Sequence, residues 1–230
     1  MTSPIRRFLR SGLAWRLSGL TYPTAVAATN SRVRTLSDYL ALTRNTKGRY
    51  GRWFPAGGTV LEFGSGLGGN LFAVRGLAGR AYGLEVNPFF VRIARRIGQR
   101  LGATNVTFQS YDGIHFPMYE SPLDAVFSIG VFERLPHVEV ARYVADLSNL
   151  LKPGGQALLY FLSAQAARTT FVRRLGADAY AYWERAEVQS LLESAALELT
   201  SVIPFSAFPL SNGSGSLSVA DVYVSSKTPR

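Results

Sequence analysis

Apolar and polar positions follow two rhythms along this chain. Short apolar runs at Thr59–Phe63, Ala81–Glu85, Asn105–Gln109, Leu123–Ile129 and Gln156–Leu162 read as strands buried on both faces. Between them lie helical patterns at Gly69–Leu77, Pro88 to about Leu101, and about Val138–Leu151. Asn87-Pro88 supplies a cap residue followed by proline at the first helical position. Lys152-Pro153-Gly154-Gly155 predicts a helix stop with a basic last turn. Strands alternating with helices over short links call for parallel strands joined by right-handed crossovers. A further helix is predicted over Glu184–Ala196, and two last strands over Leu199–Phe205 and Val219–Ser225.

Two stretches break this rhythm. Ser163–Trp183 is too long for an ordinary link and reads as a lid or binding segment, mixing Arg168, Phe171, Arg173, Arg174, Tyr180, Tyr182 and Trp183. Ser206–Ser218 is rich in Ser and Gly and reads as a flexible hairpin loop. Ahead of the first strand, Leu36 to about Thr46 has a helical pattern ending near Gly48 and Gly51. Ile5–Leu20 can form a helix with Phe8, Leu9, Leu13 and Leu17 on one side and Arg6, Arg7 and Arg10 on another. Three readings of that segment compete: a surface helix on the core, a membrane-surface helix, and a cleaved targeting peptide. The expected organisation is a basic N-terminal extension over 1–53 and one domain over 54–230, with lid 163–183 and loop 206–218.

Composition changes the picture in three places. Cysteine is absent from the 230 residues, which removes disulfides and thiolate chemistry. His115 and His137 are the two histidines, which argues against a dedicated metal cage. The formal net charge of +10 is concentrated: residues 1–60 carry ten Lys/Arg against one acid, and the other 170 carry 15 against 14. The basicity therefore belongs to the extension, and the remaining chain is near neutral. No apolar run approaches the roughly 20 residues of a spanning helix, so a cytoplasmic protein is expected, with peripheral membrane contact or organellar targeting through residues 1–34 left open.

Candidate chemistry gathers at the strand ends. Glu62-Phe63-Gly64-Ser65-Gly66-Leu67-Gly68 follows the first strand, and its alternating glycines predict a tight turn that lets a ligand approach the backbone. The helix after it would offer free N–H groups to an anionic part of that ligand. Glu85 ends the second strand, where an acid can accept from both hydroxyls of a ribose. Asp112-Gly113 follows the third, and Ser128 to Glu133 the fourth. In an open parallel sheet, ligands sit beyond these carboxyl ends. Arg92, Arg95, Arg96 and Arg100 share a helix face that reads as a solvated surface or as a phosphate patch.

Taken together, Val60–Gly68, Gly83-Leu-Glu-Val-Asn-Pro88, Asp112-Gly113, Leu123–Pro136 and Leu151-Lys-Pro-Gly-Gly155 resemble the class I S-adenosylmethionine-dependent methyltransferases, in their broad small-molecule branch. The resemblance covers about 54–226. It implies a Rossmann-like doubly wound α/β fold of seven strands in order 3-2-1-4-5-7-6, with strand seven antiparallel. By position it assigns Gly64, Gly66 and Gly68 to the methionine part of the cofactor and Glu85 to its ribose. Val86 would pack on the adenine, Asp112 and Gly113 would meet its edge, and Ser128 would line the methionine side. Glu62, which a pyrophosphate would repel, fits the amino-acid tail.

The sequence departs from this branch at Arg134, where histidine is common. His137 is the nearest substitute for a base, and its competing reading is a solvated helix start; Glu133 reads as a base or as a structural carboxylate, and His115 as a loop residue. The expected activity is methyl transfer to a small, lipid-linked or sugar-linked acceptor at oxygen. Three alternatives were weighed: an NAD(P)-dependent oxidoreductase, since Gly64, Gly66 and Gly69 also satisfy G-x-G-x-x-G; a nucleic-acid methyltransferase; and a non-catalytic S-adenosylmethionine-binding module.

Overall fold

The computed structural model describes residues 35–164, 181–209 and 216–229. Its seven strands form one sheet in the order β3-β2-β1-β4-β5-β7-β6, the order the resemblance implied. The described chain divides into two compact units, one ending at Tyr119 and the other beginning at Glu120. The helix predicted over Ile5–Leu20 and the body of the predicted lid lie outside the described residues.

The first unit opens with α1 (Leu36–Tyr50) and a 3-10 turn (Gly51–Trp53), so the helix runs through Gly48, where its end was expected. β1 (Thr59–Phe63), α2 (Gly69–Val74), β2 (Arg80–Glu85), α3 (Pro88–Arg100) and β3 (Val106–Ser110) follow. The three strands pair in parallel, with Leu61 beside Tyr82 and Gly83 beside Phe108. Val60, Leu61, Glu62 and Phe63 are all buried, as a strand covered on both faces requires. α3 starts where Asn87 Oδ1 accepts from the Phe89 N–H at 3.0 Å. It buries Phe90, Val91, Ala94, Ile97 and Gly98, a stripe at helical spacing.

All four arginines of α3 are exposed, as the solvated-surface reading expects, and two of them also make contacts. Arg92 lies over the Phe89 ring, 4.7 Å from its centroid. Arg95 donates from Nε and Nη2 to the Phe108 carbonyl, at 3.0 and 2.7 Å. β3 is an edge strand, so this fork occupies a carbonyl that could otherwise pair with a foreign strand.

The second unit holds β4 (Leu123–Ser128), a 3-10 turn (Phe132–Arg134), α4 (His137–Leu150), β5 (Leu151–Leu162), α5 (Arg185–Ser194), β6 (Leu197–Pro209) and β7 (Ser216–Lys227). β5 runs parallel to β4 and antiparallel to β7. Two expectations need correction. Lys152–Gly155 does not simply stop a helix: α4 ends at Leu150, and these residues bulge from β5 between Leu151, paired with Leu123, and Gln156, paired with Ala125. Gly154 takes φ +74° there, and Lys152 pairs with Asp124. The strands flanking the predicted loop reach further into 206–218 than expected, with backbone pairing through Ser206 with Ser218, Phe208 with Leu217 and Pro209 with Ser216; residues 210–215 lie outside the described residues. Serine is no barrier to an antiparallel ladder, so composition misjudged the hairpin's length. α5 begins with a reciprocal cap, the Glu184 N–H donating to Glu187 Oε2 at 2.7 Å.

Candidate active site

In the first unit, the turn after β1 is built by backbone geometry. Gly64, Gly66 and Gly68 all take left-handed φ, at +72°, +52° and +81°, a region glycine enters without a Cβ penalty. Gly68 is fixed a second way: a Cβ there would stand 2.3 Å from Phe108 Cζ. A Cβ at Gly83 on β2 would meet the same ring at 2.5 Å and Ser65 Oγ at 2.8 Å. The Phe108 ring, edge-on to Phe72, thus fills the space these two glycines leave. α2 spans six residues only, and its Leu71 N–H faces Glu62 rather than a free anion site.

Two carboxyls flank this turn. Glu85 is 2% exposed; Oε2 accepts from the Gly66 N–H and Oε1 from the Asn87 N–H, both at 2.9 Å. These two donors tie the glycine turn to the end of β2 and fix the carboxylate plane. Glu62 is 1% exposed and accepts from Asn70 Nδ2 through Oε1 at 2.8 Å, while Oε2 has no hydrogen-bond partner among the described residues. Burial pushes its pKa up to about 8, tempered by Asn70 and the Leu71 N–H and reinforced by the charge of Glu85. Ser65 Oγ is also buried without a partner. Val86 is half-buried just beyond Glu85.

The loop after β3 is differently made. Asp112 is exposed, and Oδ1 accepts from the Ile114 and His115 N–H groups at 2.8 Å each. Oδ2 lies 2.7 Å from His115 Nδ1. These bonds hold the Asp112 carboxyl well below the usual carboxylate range, and they turn His115 from a plain loop residue into its partner. Gly113 takes φ +88° inside this turn. Phe116 stacks on Phe63, with centroids 5.7 Å apart, and Tyr111 meets both rings.

In the second unit, Ser128 is buried at the end of β4. Glu133 lies on the 3-10 turn that follows, its side chain 10% exposed and its Oε2 without a hydrogen-bond partner among the described residues. Burial raises its pKa to about 7, offset in part by its own backbone N–H and by Arg134, whose Nε is 3.8 Å from Oε1. The two ends of the predicted lid are stitched together: the Ala164 N–H donates to the Trp183 carbonyl and the Trp183 N–H to the Leu162 carbonyl, both at 2.9 Å. Glu133 and His137 both hold this stem. The Ala181 N–H donates to the Glu133 carbonyl at 2.7 Å, His137 Nε2 lies 3.1 Å from the Tyr182 carbonyl, and the His137 and Trp183 ring centroids are 4.0 Å apart. His137 is exposed at the first position of α4.

Residues 60–155 match a family described as a methyltransferase domain. The match covers the glycine turn, β2, β4 and the Lys152–Gly155 bulge, the stretches that carry the resemblance to the class I S-adenosylmethionine-dependent methyltransferases. An uncharacterized methyltransferase of Anoxybacillus flavithermus is 29% identical over 119 residues, 52% of this chain and 50% of that protein. The chain spans about half the length of the curated relatives it matches. Among solved structures, the fold is similar to that of the CcbJ methyltransferase from Streptomyces caelestis, with TM-score 0.65, 17% identity, and coverage of 81% of this chain and 90% of the other. It is also similar to magnesium protoporphyrin IX methyltransferase from Synechocystis, solved with S-adenosylhomocysteine bound, with TM-score 0.63, 14% identity and 97% of both chains covered.

Asn70 and Thr46 escaped the sequence reading. Asn70 follows Gly69 and looks like any early helix residue, and Thr46 lies 24 positions before it, so no local signal marks either.

Proposed function

We propose that this protein transfers the methyl group of S-adenosylmethionine to an oxygen of a small, lipid-linked or sugar-linked acceptor. The observation that carries the reading is a pair of buried carboxyls, Glu62 and Glu85, flanking a turn of three left-handed glycines. A pyrophosphate would be repelled by the Glu85 carboxylate, whereas a ligand with an ammonium at one end and a ribose diol at the other suits the two acids, the ammonium favouring the ionised form of Glu62. Glu62 Oε2, buried and unpartnered, takes the ammonium; Glu85, held by Gly66 and Asn87, takes the ribose; Gly64, Gly66 and Gly68 admit the tail between them. Val86, Asp112 and Gly113 attend the adenine, and Ser128 the methionine part.

When bound, the cofactor supplies an electrophilic methyl on a good leaving group, so alignment of the acceptor provides much of the acceleration. Glu133 is the general base. Its buried carboxyl, unpartnered at Oε2 and titrating near neutrality, suits removal of a hydroxyl proton at working pH. His137 serves instead as an anchor of the lid stem, through Tyr182 and Trp183. The segment 163–183 covers the acceptor, and its arginines and aromatics favour one with anionic and apolar portions.

Titration calorimetry with S-adenosylmethionine and with NAD(P), followed by labelled methyl transfer into a cell extract and mass identification of the product, tests this. Binding of the first ligand and a labelled small molecule are expected. Binding of NAD(P) alone would sink the reading, label in RNA or DNA would redirect it, and binding without any transfer would leave a cofactor-binding module.

A further inference from the structure

We propose that Thr46 of α1, outside the family-matched segment, is a positioning residue that acts through Asn70 to keep Glu62 ready for the cationic end of the cofactor. The inference rests on the cofactor reading above and extends it to the N-terminal helix. Thr46 is 8% exposed, and its hydroxyl donates to Asn70 Oδ1 at 2.8 Å. The amide is thereby oriented with its oxygen toward Thr46 and its nitrogen toward Glu62, where Nδ2 donates to Oε1 at 2.8 Å. Three side chains from α1, α2 and β1 thus form one line that ends on a buried carboxyl oxygen with no partner.

An amide has two orientations, and they select different forms of Glu62. With nitrogen toward the acid, the amide donates and favours the carboxylate. With oxygen toward the acid, it would repel a carboxylate but accept from a protonated carboxyl. With its proton on Oδ1, the Thr46 hydroxyl supports the first arrangement, the one the structure holds. The bias matters because burial and the neighbouring Glu85 both push Glu62 toward its neutral form, which attracts an ammonium far less. The groups facing Glu62 from the surrounding elements are Asn70 and the Leu71 N–H of α2 and the Glu85 carboxylate of β2. Among these, Asn70 is the one whose direction can be reversed, and Thr46 is the group bonded to its oxygen.

The test uses the full chain and Thr46→Val, which keeps the shape and removes the donor, with Thr46→Ser as the conservative rescue. Calorimetry compares S-adenosylhomocysteine with 5′-methylthioadenosine, which keeps the nucleoside and lacks the amino-acid tail. Thr46→Val is expected to weaken S-adenosylhomocysteine about tenfold near neutral pH, to leave methylthioadenosine unchanged, and to recover much of the loss as pH rises. Carboxyl ¹³C NMR of the free protein should show the Glu62 midpoint raised in Thr46→Val and restored in Thr46→Ser. Unchanged S-adenosylhomocysteine affinity, or equal losses for both ligands with an unmoved Glu62 midpoint, would overturn the proposal. Wild-type protein that binds neither ligand would overturn the cofactor reading itself, and the NMR midpoints would still judge the Thr46–Asn70–Glu62 line.

Discussion

Glu62 and Glu133 are both buried carboxyls with one oxygen unpartnered, yet the two regions hold them by different means. Glu62 sits inside a strand, its side chain gripped by Asn70, which Thr46 holds in turn, and its neighbour Glu85 is locked by two backbone N–H groups. At Glu133 the backbone is held instead, by Ala181 from the lid stem, and among the described residues the carboxyl meets its own backbone N–H and a distant Arg134. A carboxyl fixed at its side chain is suited to binding a group of set position. A carboxyl free at its side chain and titrating near pH 7 is suited to moving a proton. The difference separates a binding role from a chemical one, although the two acids share burial and charge.

The sharpest way to break that contrast is Glu133→Gln. Methyl transfer should fall on the order of 100-fold with cofactor affinity unchanged, and the rise of rate through about pH 7 should disappear, since the base works deprotonated. His137→Ala should cost less than about threefold, because an exposed anchor contributes little alone; steady-state kinetics over a pH series reads both. A loss of cofactor binding in Glu133→Gln would erase the proposed division of roles.

On the binding side, Glu85→Ala should weaken S-adenosylhomocysteine roughly 30-fold, the equivalent of charge-assisted hydrogen bonds worth about 2 kcal/mol, with circular dichroism unchanged. Unaltered affinity would remove the ribose assignment. Gly68→Ala tests the scaffold beneath. A left-handed φ and a 2.3 Å approach to Phe108 should destabilise the fold by about 3 kcal/mol, roughly 10 °C in a thermal melt.

The smallest effect concerns stability against pH. Glu62 and Glu133 have folded pKa values raised above the ordinary carboxylate range, so the native state binds more protons than the unfolded chain in that interval. Their stabilising contribution is complete below the unfolded pKa and is lost as pH rises through about 7 and about 8. Melting of the ligand-free protein should therefore drop by a few degrees from about pH 6 to 8.5, and Glu62→Gln should flatten the upper part of that slope.

Much of this protein is decided locally, and that part could be read from the chain. The order of strands and helices followed from alternating apolar periods and from caps such as Asn87, which act over a few residues. The glycine turn was visible because left-handed backbone restricts the choice of residue at each position. Glu85 was visible because its partners, Gly66 and Asn87, belong to the same motif pair. What the chain did not reveal depends on distance along it. Phe108 filling the space at Gly68 and Gly83, Thr46 directing Asn70, and the lid stem meeting Glu133 and His137 join residues tens of positions apart. Asp112 shows the same limit at short range: its carboxyl type was legible, but the His115 ring on it was a matter of loop geometry. The bulge at Lys152–Gly155 had the composition of a helix stop, and its pairing with β4 made it part of a strand. Spacing along the sequence placed the glycine turn and the acids at the strand ends, because those choices are local; packing decided which acid is held at its side chain and which at its backbone, because their partners come from distant elements.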